Sequence, residues 1–145
     1  MSAEMSGVRG NGTEMQNFRN LQVWHRAHNL TLHSYKSTVS FPKGELFGLV
    51  SQIRRASASI GANIAEGCGR QGNPELVRFL QIGMGSASEL EYHFLLARDL
   101  GFLRPEEHRK LEREVDELKR MLSSLINSLR GRKNAGPEGT EKLTN

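Results

Sequence analysis

Five histidines, one cysteine and 20 lysine or arginine side chains are what this chain offers to chemistry, and their spacing decides whether any of it assembles. His25 and His28 fall on one face of a helix and could share a metal ion, but no second pair of ligands accompanies them, so they read as solvated or core-edge histidines. His33, His93 and His108 are scattered, and no Glu-x-x-His pair of the kind that builds a di-iron site in a helical bundle occurs. The run Gly67-Cys68-Gly69-Arg70-Gln71-Gly72 satisfies G-x-G-x-x-G in letters only, because a dinucleotide fingerprint must follow a strand and this run follows a helical pattern. Its glycines cap a helix and turn the chain, and Cys68 has no fixed base to make it a nucleophile. No nucleophile elbow and no Walker loop is present. The expectation is a protein that is not an enzyme and that carries no metal and no cofactor.

Charge is the more informative property. The formal net charge is +4. Residues 18–41 hold Arg19, Arg26 and Lys36 with no acid, residues 103–133 hold nine basic against six acidic side chains, and residues 73–101 hold two basic against four acidic. A chain that segregates charge in this way can present a basic face to a polyanion. The candidate nucleic-acid-binding residues are Arg19, Arg26, Arg54, Arg70, Arg109, Arg113, Arg120, Arg130, Arg132 and Lys133. Against that stands self-pairing, since Glu106 with Lys110, Arg113 with Glu117 and Asp116 with Arg120 are each one helical turn apart. A polar stripe of Arg55, Ser59, Asn63 and Glu66 follows spacings of four, four and three, with Ser86 and Glu89 placed to answer it from the next helix. Its two readings are a hydrogen-bonded network that fixes helix register and an intersubunit or ligand-binding groove.

The elements that must position these residues are helices. Apolar spacing predicts a first helix from about Leu21 to Val39, with Leu21, Trp24, Ala27, Thr31 and Tyr35 on its inner face, and a second from about Glu45 to Glu66 built on Leu46, Leu49, Val50, Ile53, Ile60 and Ile64. A third opens at Asn73-Pro74-Glu75, with Asn73 as cap, and carries the seam Leu76, Leu80, Gly83, Ala87, Leu90, Phe94 and Ala97 before Gly101 ends it. The fourth starts at Pro105 and repeats the device with Leu111, Val115, Leu118, Leu122, Leu125 and Leu129. Nothing alternates with period two. Short turns between long helices predict an all-α, antiparallel up-down-up-down four-helix bundle over residues 18–131, between disordered tails at 1–17 and 132–145. Gly61, Gly83 and Gly85 interrupt helices at about 1 kcal/mol each, a cost that close approach of the second and third helices or contact with another subunit would offset.

At 145 residues the chain can bury its own core as one domain, and a single cysteine permits no internal disulfide. It has neither a secretory apolar stretch near Met1 nor a run long enough to span a bilayer, so a cytoplasmic protein without a membrane partner is expected.

Three blocks carry a resemblance: FRNLQVWHRAHNL, then FPKGELFGLVSQIRRASASIGANIAEGCGR, then RFLQIGMGSASELEYHFLLARDLGFL. Across residues 18–103 they resemble the bacterial four-helix-bundle proteins encoded by intervening sequences in 23S ribosomal RNA and by many bacterial chromosomes; helix 4 matches by pattern only. The sequence departs from that family at Cys68, where an aromatic is usual, and at Arg104, where a better cap is common. The resemblance implies a left-handed antiparallel bundle assembled as a homopentamer, and it gives Arg55, Ser59, Asn63, Glu66, Gly67, Ser86 and Glu89 roles in architecture and assembly. It is also distantly similar to the accessory protein of diversity-generating retroelements, which implies a possible reverse transcriptase partner and RNA or DNA as ligand. Two functions follow as expectations: a homo-oligomer that binds nucleic acid through its basic surface, or a scaffold that docks an enzyme.

Overall fold

The structure, a computed structural model, describes residues 17–133. Four helices carry it: α1 (Gln22–Ser37), α2 (Leu49–Cys68), α3 (Asn73–Asp99) and α4 (Pro105–Lys133), with single 3-10 turns at Phe18–Asn20 and Lys43–Glu45. The tails read from composition lie outside the described residues except at their inner edges, where Asn17 caps the first turn and α4 runs on through Lys133.

Contacts between neighbouring helices give the direction of each. Gly61 lies near Trp24, Ser57 near Thr31 and Arg54 near Thr38, so α1 and α2 run oppositely. Gly67 near Phe79 and Ser59 near Ser86 do the same for α2 and α3, and His33 near Glu114 with Arg26 near Glu117 for α1 and α4. Each helix packs mainly on its two neighbours in a closed cycle, which is the up-down-up-down bundle.

The α3 seam is buried throughout, from Leu76 to Ala97, and faces Leu111, Val115, Leu118, Leu122 and Leu129 of α4. Ile126 joins that core while Leu125 is only partly buried. The inner face of α1 is rotated from the expected one. Val23, Ala27, Leu30, Ser34 and Thr38 are buried, Trp24 and Thr31 sit at the edge, and Tyr35 is 44% exposed. Ser34 and Thr38 can occupy the core because their hydroxyls donate to the carbonyls of Leu30 at 2.8 Å and Ser34 at 2.9 Å.

Helix α2 begins at Leu49 rather than Glu45. Residues Lys43–Glu45 form a 3-10 turn, Gly48 interrupts, and the Glu45 carboxylate accepts from the Leu49 amide at 3.1 Å, capping α2 from outside it. Leu46 therefore stands outside the core, 50% exposed. Asn73 is not a cap either: Gly72, with φ 89°, takes that position, no side chain bonds the first turn, and Asn73 is already helical. The end of α3 is as expected. Gly101 has φ 82°, its amide bonds the Arg98 carbonyl at 3.0 Å and the Phe102 amide bonds that of Ala97 at 2.9 Å, which is a Schellman closure.

The three glycines divide. A Cβ on Gly83 would lie 3.7 Å from the Ile60 carbonyl, so close packing of α2 and α3 accounts for it. Gly61 faces the Trp24 indole of α1 instead, and Gly85 has nothing within 4 Å.

Candidate nucleic-acid interface

Arg109, Arg113 and Arg120 recur on α4 opposite its Leu and Val stripe, and all three are exposed. None of the three pairings available within α4 forms an ion pair. Three of the six acids turn across the helix boundary: Glu117 meets Arg26 at 3.6 Å, Glu114 and Glu107 meet His33 at 2.6 and 3.2 Å, and Glu107 also accepts from Ser37 at 3.0 Å, while Glu106, Glu112 and Asp116 stay exposed. A neutral imidazole can donate to one of those two carboxylates and an imidazolium to both. Lys119 is held by Glu91 of α3 at 2.9 Å. The result is a shallow cleft of about 450 Å³ between α1 and α4, lined by Arg26, His33, Lys110, Arg113, Glu114 and Glu117. Arg113 at its rim, and Arg109 and Arg120 beyond it, make no ion pair among the described residues.

The remaining predicted cations are dispersed. Arg54 is committed internally: its Nε donates to Thr38 Oγ1 at 2.9 Å, its Nη2 to the Tyr35 carbonyl at 3.3 Å, and its guanidinium lies 4.7 Å from the Tyr35 ring centroid. Arg70 pairs with Glu66 at 2.8 Å and covers the Phe79 ring. Arg19 is exposed over Phe18, and Arg130 is exposed on α4. Arg132 and Lys133 complete α4, and their side chains fall outside the described residues. The eight cations whose side chains are described form no single patch; Arg109, Arg113 and Arg120 are the unpaired ones that share one face of α4.

The polar stripe splits in the same way. Ser59 and Ser86 hydroxyls meet at 2.8 Å across the α2–α3 seam, and the Asn63 amide donates to the Ser59 carbonyl at 2.8 Å and hydroxyl at 3.1 Å. The Ser59–Ser86 bond ties the register of the two helices, and Asn63 buttresses it from within α2. Arg55, Glu66 and Glu89 are exposed around them, Glu89 lying 3.3 Å from His93 Nε2.

His25 and His28 do not converge: His25 Nε2 bonds the Arg19 carbonyl at 2.8 Å, whereas His28 stacks on Trp24. No cluster of three or more His, Cys, Asp or Glu able to hold a metal ion occurs among the described residues. Cys68 is buried, and burial pushes its thiol up to about 11. No described helix is long and apolar enough to cross a membrane. Sequence reasoning set His33 aside as scattered; its only sequence signal is the seven-residue spacing of Glu107 and Glu114, which puts both carboxylates on one face of α4.

Comparison with known proteins agrees with this architecture. The family model described as 23S rRNA-intervening sequence protein matches residues 19–124. Among solved structures the chain is similar to a protein with unknown function from the S23 ribosomal protein family of Bacteroides thetaiotaomicron, at 26% sequence identity and a TM-score of 0.65, over 72% of this chain and 97% of that one. No curated protein matches it.

Proposed function

Because the chain belongs to the 23S rRNA-intervening sequence protein family, we propose that it is a non-enzymatic homo-oligomer that binds structured RNA or DNA through phosphate contacts. The observation that carries this is the outer face of α4, where Arg109, Arg113 and Arg120 stay exposed and free of ion pairs while Glu107, Glu114 and Glu117 are drawn to α1 and only Glu106, Glu112 and Asp116 remain among them. Guanidinium groups without a protein partner are suited to bidentate phosphate contact, and such contacts supply affinity with little base readout. A pentamer, the state the family resemblance favours, repeats the face five times, so weak contacts act together through effective concentration. Exposed apolar side chains at the α1–α2 corner, Val39 at 74% and Phe47 at 91%, and Tyr92 and Leu100 on α3 and its end, supply surface for subunit contact.

Gel shifts with RNA and DNA at about 50 and 200 mM salt test the reading, since phosphate-dominated affinity falls steeply over that range. The Arg109→Glu, Arg113→Glu, Arg120→Glu triple variant should lose binding similarly across sequences while light scattering shows it still assembled. Absence of a shift at low salt, or equal binding by the folded triple variant, removes the nucleic-acid reading.

The exposed Phe47 corner also favours a second reading, a scaffold that docks an enzyme such as a reverse transcriptase. In that case Phe47→Asp abolishes partner capture and the triple arginine variant does not.

A further inference from the structure

Where the chain enters α1, planar groups stand in a row. The Arg19 guanidinium lies 4.8 Å from the Phe18 ring centroid, Phe18 is 4.9 Å from Trp24 at 60°, and Trp24 is 4.9 Å from His28 at 9°, a parallel stack. One helical turn separates Trp24 from His28, so their rings overlap along the same edge of α1. Gly61 of α2 backs the indole: a Cβ there would sit 3.4 Å from Trp24 Nε1, in van der Waals contact. The indole is thus held by the bundle on one side and layered by an imidazole on the other. That imidazole is exposed, and its nitrogens make no hydrogen bond among the described residues. Residues 18–41 hold no acid, so the stack stands in an uninterrupted positive segment.

We propose that the Trp24–His28 stack is a platform on which an unpaired nucleobase of RNA adds as the next layer. A cluster serving only to close the end of the bundle has no need of a partly buried Trp layered by an exposed His. A base brings what the platform offers room for: a flat π face for His28, polar edges for its free nitrogens, and a phosphate for the acid-free segment. The inference rests on the nucleic-acid reading above but concerns a different surface and a different force, stacking rather than ion pairing.

Trp24 is the sole tryptophan, so its emission reports this surface alone. The full chain is titrated with a labelled single-stranded RNA oligomer and with the same sequence as a blunt duplex, reading Trp24 emission and label anisotropy together. Expected is quenching by the single strand with the midpoint seen in anisotropy. His28→Tyr, which keeps a plane, should bind the single strand at least as well as wild type. His28→Lys, which adds charge but removes the plane, should bind it more weakly by roughly 5- to 150-fold, the equivalent of one base–aromatic stack, while holding the duplex as tightly as before. Single-strand binding that leaves Trp24 emission unchanged, or that His28→Lys retains or strengthens, overturns the platform and leaves phosphate binding standing. No binding of either RNA at low salt overturns both.

Discussion

Two glycines of the α2–α3 pair should respond to the same substitution with opposite sign. A Cβ on Gly67 would lie 2.9 Å from Phe79 Cβ, 3.0 Å from Leu76 Cδ1 and 3.4 Å from Leu76 Cα. The Leu76 methyl can swing away, but the Phe79 Cβ and the Leu76 backbone cannot without moving α3. Overpacking of that kind costs about 1–3 kcal/mol. Against it, Ala in place of Gly favours a helix by up to about 1 kcal/mol, and by less at Gly67, one residue from the end of α2. Gly67→Ala should therefore destabilise by about 1–2 kcal/mol. Gly85 is exposed in mid-α3 with nothing within 4 Å, so Gly85→Ala keeps the full gain and should stabilise the folded chain by about 1 kcal/mol. Urea melts followed by far-UV circular dichroism measure both, run at two protein concentrations because an effect on folding is independent of concentration and an effect on assembly is not. Since no contact within the bundle offsets the cost of Gly85, its variant should also weaken assembly if another copy packs there. A Gly67→Ala protein as stable as Gly85→Ala would refute the close approach of α2 to α3 on which the argument depends.

Truncation in the seam should be costly wherever it is made: Leu90, Phe94, Leu118 and Leu122 are buried to within 1% of full enclosure, so changing any of them to Ala should cost about 2–5 kcal/mol in the same melts. Near-neutral effects at all four would place the seam on the solvent side. Cys68 should resist iodoacetamide in the native protein at pH 8 and react on denaturation, because with its thiol pushed up to about 11 almost no thiolate is present until the pH climbs far higher. Fast alkylation of native protein at pH 8 would mean that the turn after α2 opens readily.

What the sequence determined is what local periodicity and backbone chemistry determine. Spacings of four and three through Leu76, Leu80, Gly83, Ala87, Leu90, Phe94 and Ala97 leave a long helix one face to bury, and Gly101 is a residue that tolerates the left-handed φ its position requires. Four such helices with short connections fix the bundle. The same pattern failed on α1, where two overlapping stripes compete. Apolarity favours the stripe through Trp24 and Tyr35, but the packed one runs through Ser34 and Thr38, whose hydroxyls satisfy themselves on the preceding turn and so bury at little cost. Helix boundaries failed where a side chain from outside decided them, as Glu45 does for Leu49. The candidate surfaces were least legible of all. Within α4 every acid has a cation one turn away, and only the approach of α1 makes Arg26 and His33 the better partners of Glu107, Glu114 and Glu117, leaving Arg109, Arg113 and Arg120 without ion pairs beside the exposed Glu106, Glu112 and Asp116. His33 is separated by 74 residues from Glu107 and by 81 from Glu114. A pairing across that distance is set by the register of two antiparallel helices, which the summed packing of the whole core fixes and no local pattern encodes.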